Sequence, residues 1–229
     1  MTFETFKESV QLSIENICQR LLAENRDRIK IKKEKVAVKN LVKIFEAALR
    51  ISNQKGFASM SLRDLSSEAG LSMGALYSYI SSKEELLDMI LKQGRSFIFR
   101  ILDEYLQGIE DPGAKLEQGI QAHLYLSEVM QPWFYFSYME PKNLPKQVHR
   151  NAIEAELFTE QVFTEIIEEG IRKGVFRQVN PQLCAAAVKA MLQDWYLKRW
   201  KYERRKVTVE EYAKFVMDLV SAYLRKKGQ

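Results

Sequence analysis

Apolar residues recur every three or four positions over most of the chain, the spacing that gathers them on one face of an α-helix. Near the N-terminus Phe6, Val10, Ile14, Ile17 and Leu21 follow it, and Val38, Leu41, Phe45 and Leu49 resume it after "NRDRIKIKKEK". The stretch "NQKGF" stops this second series, with Gly56 placed for a left-handed C-terminal turn. Two short helices are predicted next. Ser61 can cap a helix of two turns carrying Leu62, Leu65 and Ala69, and Gly70 ends it. Ser72 can cap another, in which Leu76 and Ile80 face the same core while Met73, Gly74, Ala75, Ser78 and Tyr79 stay largely outside. Ser81 or Ser82, followed by Glu84 or Glu85, begins the next helix with a capping-box pattern.

Beyond Leu86 the pattern remains helical, with breaks at "GIEDPG", "QPW", "EPKNLP", "KGVFRQVNP" and "RRKVT". Pro112, Pro145 and Pro181 each stand where a helix can begin. Only 5 Pro and 10 Gly leave little punctuation for many short strands, so the expected class is all-α. The predicted organisation is an amphipathic helix with a basic hinge (residues 1–33), a three-helix helix-turn-helix domain (34–88) and a larger helical domain (89–229). "IKIK" within the hinge also suits a short extended piece. The first helix is expected to pack on its own domain or a partner subunit, and the basic run is either a solvated face or a DNA arm.

The 229 residues suffice for a buried core, and their 46% hydrophobic and 28% charged content is ordinary for a globular protein. A net charge of +5 favours an anionic partner without naming it. Cys18 and Cys184 lack ligand-like spacing, so neither a disulfide framework nor a metal site is expected, and a reducing cytoplasm fits. No segment approaches the ~20 apolar residues of a membrane span, and no membrane association is expected. The chain carries no HExxH, GxSxG, phosphate loop or cysteine-histidine arrangement, so neither catalysis nor a cofactor is expected.

A helix of two turns buries little alone, whereas two of them behind an amphipathic helix form a unit able to lay its last helix in the DNA major groove. Around that helix Ser61, Arg63, Ser72, Tyr77, Tyr79 and Lys83 are short or cationic donors suited to phosphate oxygens. Gly74 and Ala75 permit close approach to base edges. Helical bundles that bind no nucleic acid share such spacing, and a ligand- or protein-binding module without specific DNA recognition is the alternative.

The stretch "GFASMSLRDLSSEAGLSMGALYSYISSKEELL" closely resembles the DNA-binding domain of the TetR family of bacterial transcriptional regulators. The matching features are Gly56-Phe57, "SLRDLSSEAGLS", the recognition helix "GALYSYI", and Lys83 with "EELL". The likeness runs over residues 35–89 and returns at "EEGIRKGVFRQVNPQLCAAAVKAM"; the first thirty or so residues have no counterpart. It implies base approach by Arg63, Met73, Gly74 and Ala75, and phosphate contacts by Ser61, Ser72, Tyr77, Tyr79 and Lys83. Ile80 departs from the usual Phe, and Met73 from the usual Lys or other polar residue. Apolar contact with a thymine methyl would then replace a hydrogen bond at Met73.

The resemblance further implies a C-terminal ligand-binding and dimerisation domain. "QPWFYFSYME" holds more aromatic surface than one helix face can bury, so some rings are expected to line a cavity or meet another surface, unless all are ordinary core. The candidate ligand-binding residues are Tyr125, Trp133, Phe134, Phe136, Phe158, Phe163 and Trp195, suited to a lipophilic or aromatic effector. An anionic end would meet His123, His149, Arg150 or Arg199. The last two helices, expected over residues 181–201 and 208–225, would join a homodimer through Ala185 to Ala187, Val188, Met191, Leu192 and Trp195 with Tyr212, Phe215, Leu219 and Ala222 or Tyr223. The implied function is a ligand-responsive repressor that binds a roughly palindromic operator in double-stranded DNA. The fourth family helix, from Ser82 toward Tyr105, would be its switch.

Overall fold

A computed structural model describes the chain except for residues 30, 141–145 and 227–229 and the side chains of residues 10–14. The expectations for Lys30, Pro145, Val10 and Ile14 therefore lie outside the described residues. Those described form helices and connecting turns: α1 (Phe3–Glu24), α2 (Glu34–Lys55), α3 (Leu62–Glu68), α4 (Met73–Tyr77), α5 (Lys83–Leu106), α6 (Pro112–Val129), α7 (Gln131–Met139), α8 (Lys146–Arg172), α9 (Pro181–Leu197), α10 (Arg199–Arg204) and α11 (Val209–Leu224).

One compact unit comprises Glu8–Phe97 and Pro132–Ala152. Its core gathers Leu41, Ile44 and Ala48 of α2, Leu65 of α3, Leu76 of α4 and Leu86, Leu87 and Ile90 of α5. Cys18, Leu21 and Leu22 of α1 join this core, so the part of α1 preceding the basic stretch packs against its own chain. Ile80 fills the core as expected. Phe136 of α7 meets Phe57 edge to face at 5.9 Å, and the Trp133 indole N–H donates to the Ile90 carbonyl at 3.1 Å. Trp133 lies so close to Gly94 that an added Cβ would meet the ring at 2.1 Å.

The other unit comprises Met1–Lys7, Ile98–Gln131 and Ile153–Gln229. Here α6 packs against α9 and α11. Asp111 and Asn180 cap the helices that begin at Pro112 and Pro181, where a missing proline N–H costs nothing. Phe6 is wholly buried against Tyr105 and Tyr125, while Trp195 stacks on Tyr212 at 5.1 Å.

Two details of the C-terminal helices correct the expectation. The helix begun at Pro181 ends at Leu197, because Lys198 leaves helical geometry with φ −122° and ψ 37°; Asp194 accepts from Lys198, Lys201 and Tyr202 around the break, and α10 follows. On α9, Ala185, Val188, Leu192 and Trp195 point into the unit's own core rather than toward a partner. Helical period then turns Leu183 and Ala187 outward, and on α11 it exposes Phe215, Leu219 and Tyr223.

Candidate nucleic-acid interface

The interface is built by two capped helices and one left-handed glycine. Ser61 and Asp64 form a reciprocal capping box: Ser61 Oγ accepts from the Asp64 N–H at 3.1 Å, and Asp64 accepts from the Ser61 N–H at 2.9 Å. Lys55 donates to the same carboxylate at 2.9 Å. The Ser61 amide, the largest cause, and the Lys55 ammonium hold the Asp64 carboxyl well below the usual carboxylate range. Gly70 ends α3 with φ +64°, a backbone conformation that costs glycine nothing. The turn is closed by the Leu71 N–H donating to the Ser66 carbonyl at 2.9 Å and by Ser66 Oγ donating to the Leu71 carbonyl at 2.5 Å. Ser72 then caps α4 by accepting from the Ala75 N–H at 3.2 Å.

Among the residues expected at DNA, Ser61, Arg63, Ser72, Gly74 and Tyr77 are exposed, while Met73 and Ala75 are partly so. No other group lies within 4 Å of where a Gly74 side chain would start, leaving that face of α4 open to close approach. Tyr79 corrects the expectation that it stays outside. The helix stops at Tyr77, so the following turn, not the helical wheel, sets the direction of Tyr79; its ring is buried and its hydroxyl accepts from Asn40 Nδ2 at 2.9 Å. Burial raises the pKa of that hydroxyl.

Lys83 is turned toward the loop after α2. Its ammonium donates to the carbonyls of Phe57 at 3.1 Å, Ala58 at 2.8 Å and Met60 at 3.1 Å, fixing the approach to α3. At the start of α5 the expected capping pair is Ser82 with Glu85: Ser82 Oγ accepts from the Glu85 N–H at 3.1 Å, and the Glu85 carboxylate accepts from the Ser81 N–H at 2.7 Å. Arg28, from the basic stretch, pairs with Glu85. Asn40 and Asp64 are contributors that the sequence reading did not name, and of the two only Asp64 had a local signal, three residues after Ser61; Arg28 belongs to the basic run expected as a solvated face or a DNA arm.

The candidate ligand-binding rings divide between the units. Trp133, Phe134 and Phe136 belong with the helix-turn-helix, whereas Tyr125, Phe158, Phe163 and Trp195 belong to the other unit. Tyr125 is buried beside Phe3 and Phe6, Phe163 is buried at the helix crossing beside Gly119, and Trp195 donates its indole N–H to Glu128 at 2.9 Å. Arg199 grips the same Glu128 through two nitrogens at 2.9 Å, a bidentate pair that leaves its buried Nη1 without a hydrogen-bond partner. His123 is buried with Nε2 3.4 Å from Lys189 Nζ; burial, then the neighbouring Lys189, hold the imidazole well below its ordinary pKa. His149 and Arg150 are exposed. Phe158 is 51% exposed beside Phe99, unusual for so large an apolar ring.

The model of bacterial regulatory proteins of the tetR family matches residues 44–90, and the tetracyclin repressor-like C-terminal domain matches residues 110–224. The chain belongs to the TetR family. It is a helix-turn-helix DNA-binding transcriptional regulator with a TetR fold. The HTH-type transcriptional repressor KstR2 of Mycobacterium tuberculosis is 23% identical over 203 residues, covering 81% of this chain and 92% of the relative. The solved ketosteroid transcriptional regulator KstR2 aligns with a TM-score of 0.72 at 18% identity, covering 82% of this TetR chain and 95% of the other. The TetR regulator PfmR of Thermus thermophilus aligns at 29% identity and a TM-score of 0.69, covering 80% and 99%. AibR, solved with isovaleryl coenzyme A and operator DNA, aligns at 20% identity and a TM-score of 0.68, covering 79% and 97%. Among the described residues no helix is long and apolar enough to cross a membrane.

Proposed function

We propose that this TetR-family regulator is a cytoplasmic, homodimeric repressor that leaves a roughly palindromic operator when a lipophilic or aromatic small molecule binds its C-terminal domain. The observation that carries the DNA half of this reading is the open N-terminal face of α4. Met73, Gly74 and Ala75 approach the bases there, and Arg63 adds a cation able to read a guanine edge. Ser61, Ser72 and Tyr77 hold phosphates, while Tyr79 and Lys83, whose polar groups engage Asn40 and the loop carbonyls, fix the frame those contacts need.

Residues 34–88 carry DNA recognition and residues 89–229 carry effector binding and dimerisation, with residues 1–33 as an added support. Leu183 of α9 and Phe215, Leu219 and Tyr223 of α11 supply the apolar face for a second copy. Two-fold pairing presents two recognition helices to half-sites about one helical turn, ~34 Å, apart. An effector that favours a different spacing lowers operator affinity, and the operator lowers effector affinity by the same factor. The ketosteroid designation of KstR2 and the joint binding of a thioester and operator by AibR support such a ligand-responsive reading. The scheme requires no catalytic step and no cofactor.

Selection of random duplex DNA by the purified protein, followed by sequencing and titration of the best site at two salt concentrations, tests the reading. An enriched palindrome bound far more tightly than scrambled DNA is the expected result. Salt-sensitive binding with no enriched sequence would leave a fold without specific recognition and would overturn it.

A further inference from the structure

Within the C-terminal unit lies a half-open cleft of about 480 Å³, a volume typical of small-molecule sites. Its apolar walls come from Leu102 and Leu106 of α5, Ile109 of the following turn, and Val162 and Ile166 of α8. Phe99 and Phe158 form an aromatic corner with ring centroids 4.2 Å apart. Phe158 is half exposed on the cleft although nearby positions of α8, Phe163 and Ile166, are buried.

The charged residues of the lining are Asp103, Glu165, Glu169 and Lys115. Glu169 is neutralised by Lys173 at 2.8 Å and Lys115 at 3.7 Å. Asp103 and Glu165 form no ion pair among the described residues; Glu165 accepts only a neutral amide hydrogen bond from Gln161 at 3.1 Å. Three carboxylates against the ammoniums of Lys115 and Lys173 leave one negative charge in excess on a lining that also carries the two rings, in a protein whose overall charge is +5. A ligand entering this cleft meets apolar walls, aromatic quadrupoles that attract cations and a negative local potential. An anion of the same shape meets repulsion from the same groups.

We propose that this cleft binds a lipophilic cation, an apolar or aromatic body carrying one diffuse positive charge. The proposal deepens the effector reading above, on which its regulatory meaning rests, while the binding site itself stands on the cleft. Phe99 and Phe158 flank the charged centre, the aliphatic walls take the body, and Asp103 and Glu165 select the sign.

Tetraphenylphosphonium and tetraphenylborate, alike in shape and opposite in charge, test this by calorimetric titration of the full chain. The expected result is saturable phosphonium binding that falls ~tenfold, about 1.4 kcal/mol, in Phe158→Ala and likewise in the double variant Asp103→Asn with Glu165→Gln. These exposed substitutions are checked for unchanged thermal melting. Phosphonium binding indifferent to both variants overturns the proposal, as does borate binding that is equally tight and equally sensitive to Phe158→Ala. Displacement is then measured on the selected operator. Lowered operator affinity supports both the site and its effector role, whereas cleft binding with unchanged operator affinity keeps the site and removes the effector reading.

Discussion

The helix-turn-helix and the helical C-terminal unit are made of the same element, yet they fix their functional groups at different distances along the chain. From Ser59 to Leu87, the helix caps and the turn at Gly70 close within a few residues: Ser61 with Asp64, Ser66 with Leu71, Ser72 with Ala75, Ser82 with Glu85. In the C-terminal unit, Trp195 meets Glu128 and stacks on Tyr212, and Lys189 meets His123, across tens of residues of sequence. In the first region a local lattice of hydrogen bonds between near neighbours fixes the exposed groups above a buried core, whereas in the second the groups are held by packing and pairing across long separations. The contrast predicts that substitutions at exposed positions of the first region alter recognition before stability, and at the buried long-range partners of the second the reverse.

The largest expected effect is Trp195→Ala. The side chain is wholly buried, so its removal opens a cavity and takes away one of the three hydrogen-bond donors to Glu128, which Arg199 still holds. A loss of about 3–5 kcal/mol is expected, read as a fall in thermal or urea midpoint. If the melt instead changed by only a few tenths of that amount, the dependence of the C-terminal unit on long-range packing would be broken. Arg63→Ala is the converse case. The residue is exposed and makes no hydrogen bond or ion pair among the described residues, so stability should move by less than ~0.5 kcal/mol. Operator affinity should fall by about 1–3 kcal/mol with relaxed preference at one base position. Equal loss on every sequence would make Arg63 a phosphate contact.

This difference in range also explains what was legible from residues alone. The paired helices, Gly70 and the caps followed from short spacings, as did the all-α class and the prolines that start α6 and α9. Tyr79 misled because α4 is too short for a helical wheel to apply at that position. The inward face of α9 misled because small and apolar residues lie on both sides of it; only the packing of α6 and α11 against it decides which side is core. Likewise Phe136 is an aromatic among aromatics in sequence, and its engagement with Phe57 depends on a contact 79 positions away.

Ser61→Ala sharpens the comparison at a middle scale. It removes the acceptor for the Asp64 N–H, and a cap of this kind contributes about 1 kcal/mol. The same hydroxyl is assigned a phosphate, so operator affinity should drop along with stability. Ser61→Asp would restore the cap while placing a negative charge toward DNA. Recovery of the melt without recovery of binding, measured by operator titration, is the expected separation; recovery of both would remove Ser61 from the interface.

The smallest expected effect belongs to Asp64 and appears as a pH dependence. Its carboxyl is depressed in the folded state by the Ser61 amide first and by Lys55 with it. A depressed folded pKa contributes stability that is present above the unfolded value, about 4, and lost as pH falls below it. The wild-type melt should therefore decline more steeply on acidification from pH 5 to pH 3 than that of Asp64→Asn. At neutral pH the variant should be slightly less stable, because the amide can still accept from the Ser61 N–H but no longer pairs with Lys55. Parallel acid limbs in the two proteins would mean that this carboxylate is held no better folded than unfolded, and the local lattice would then rest on its hydroxyl caps and on Gly70.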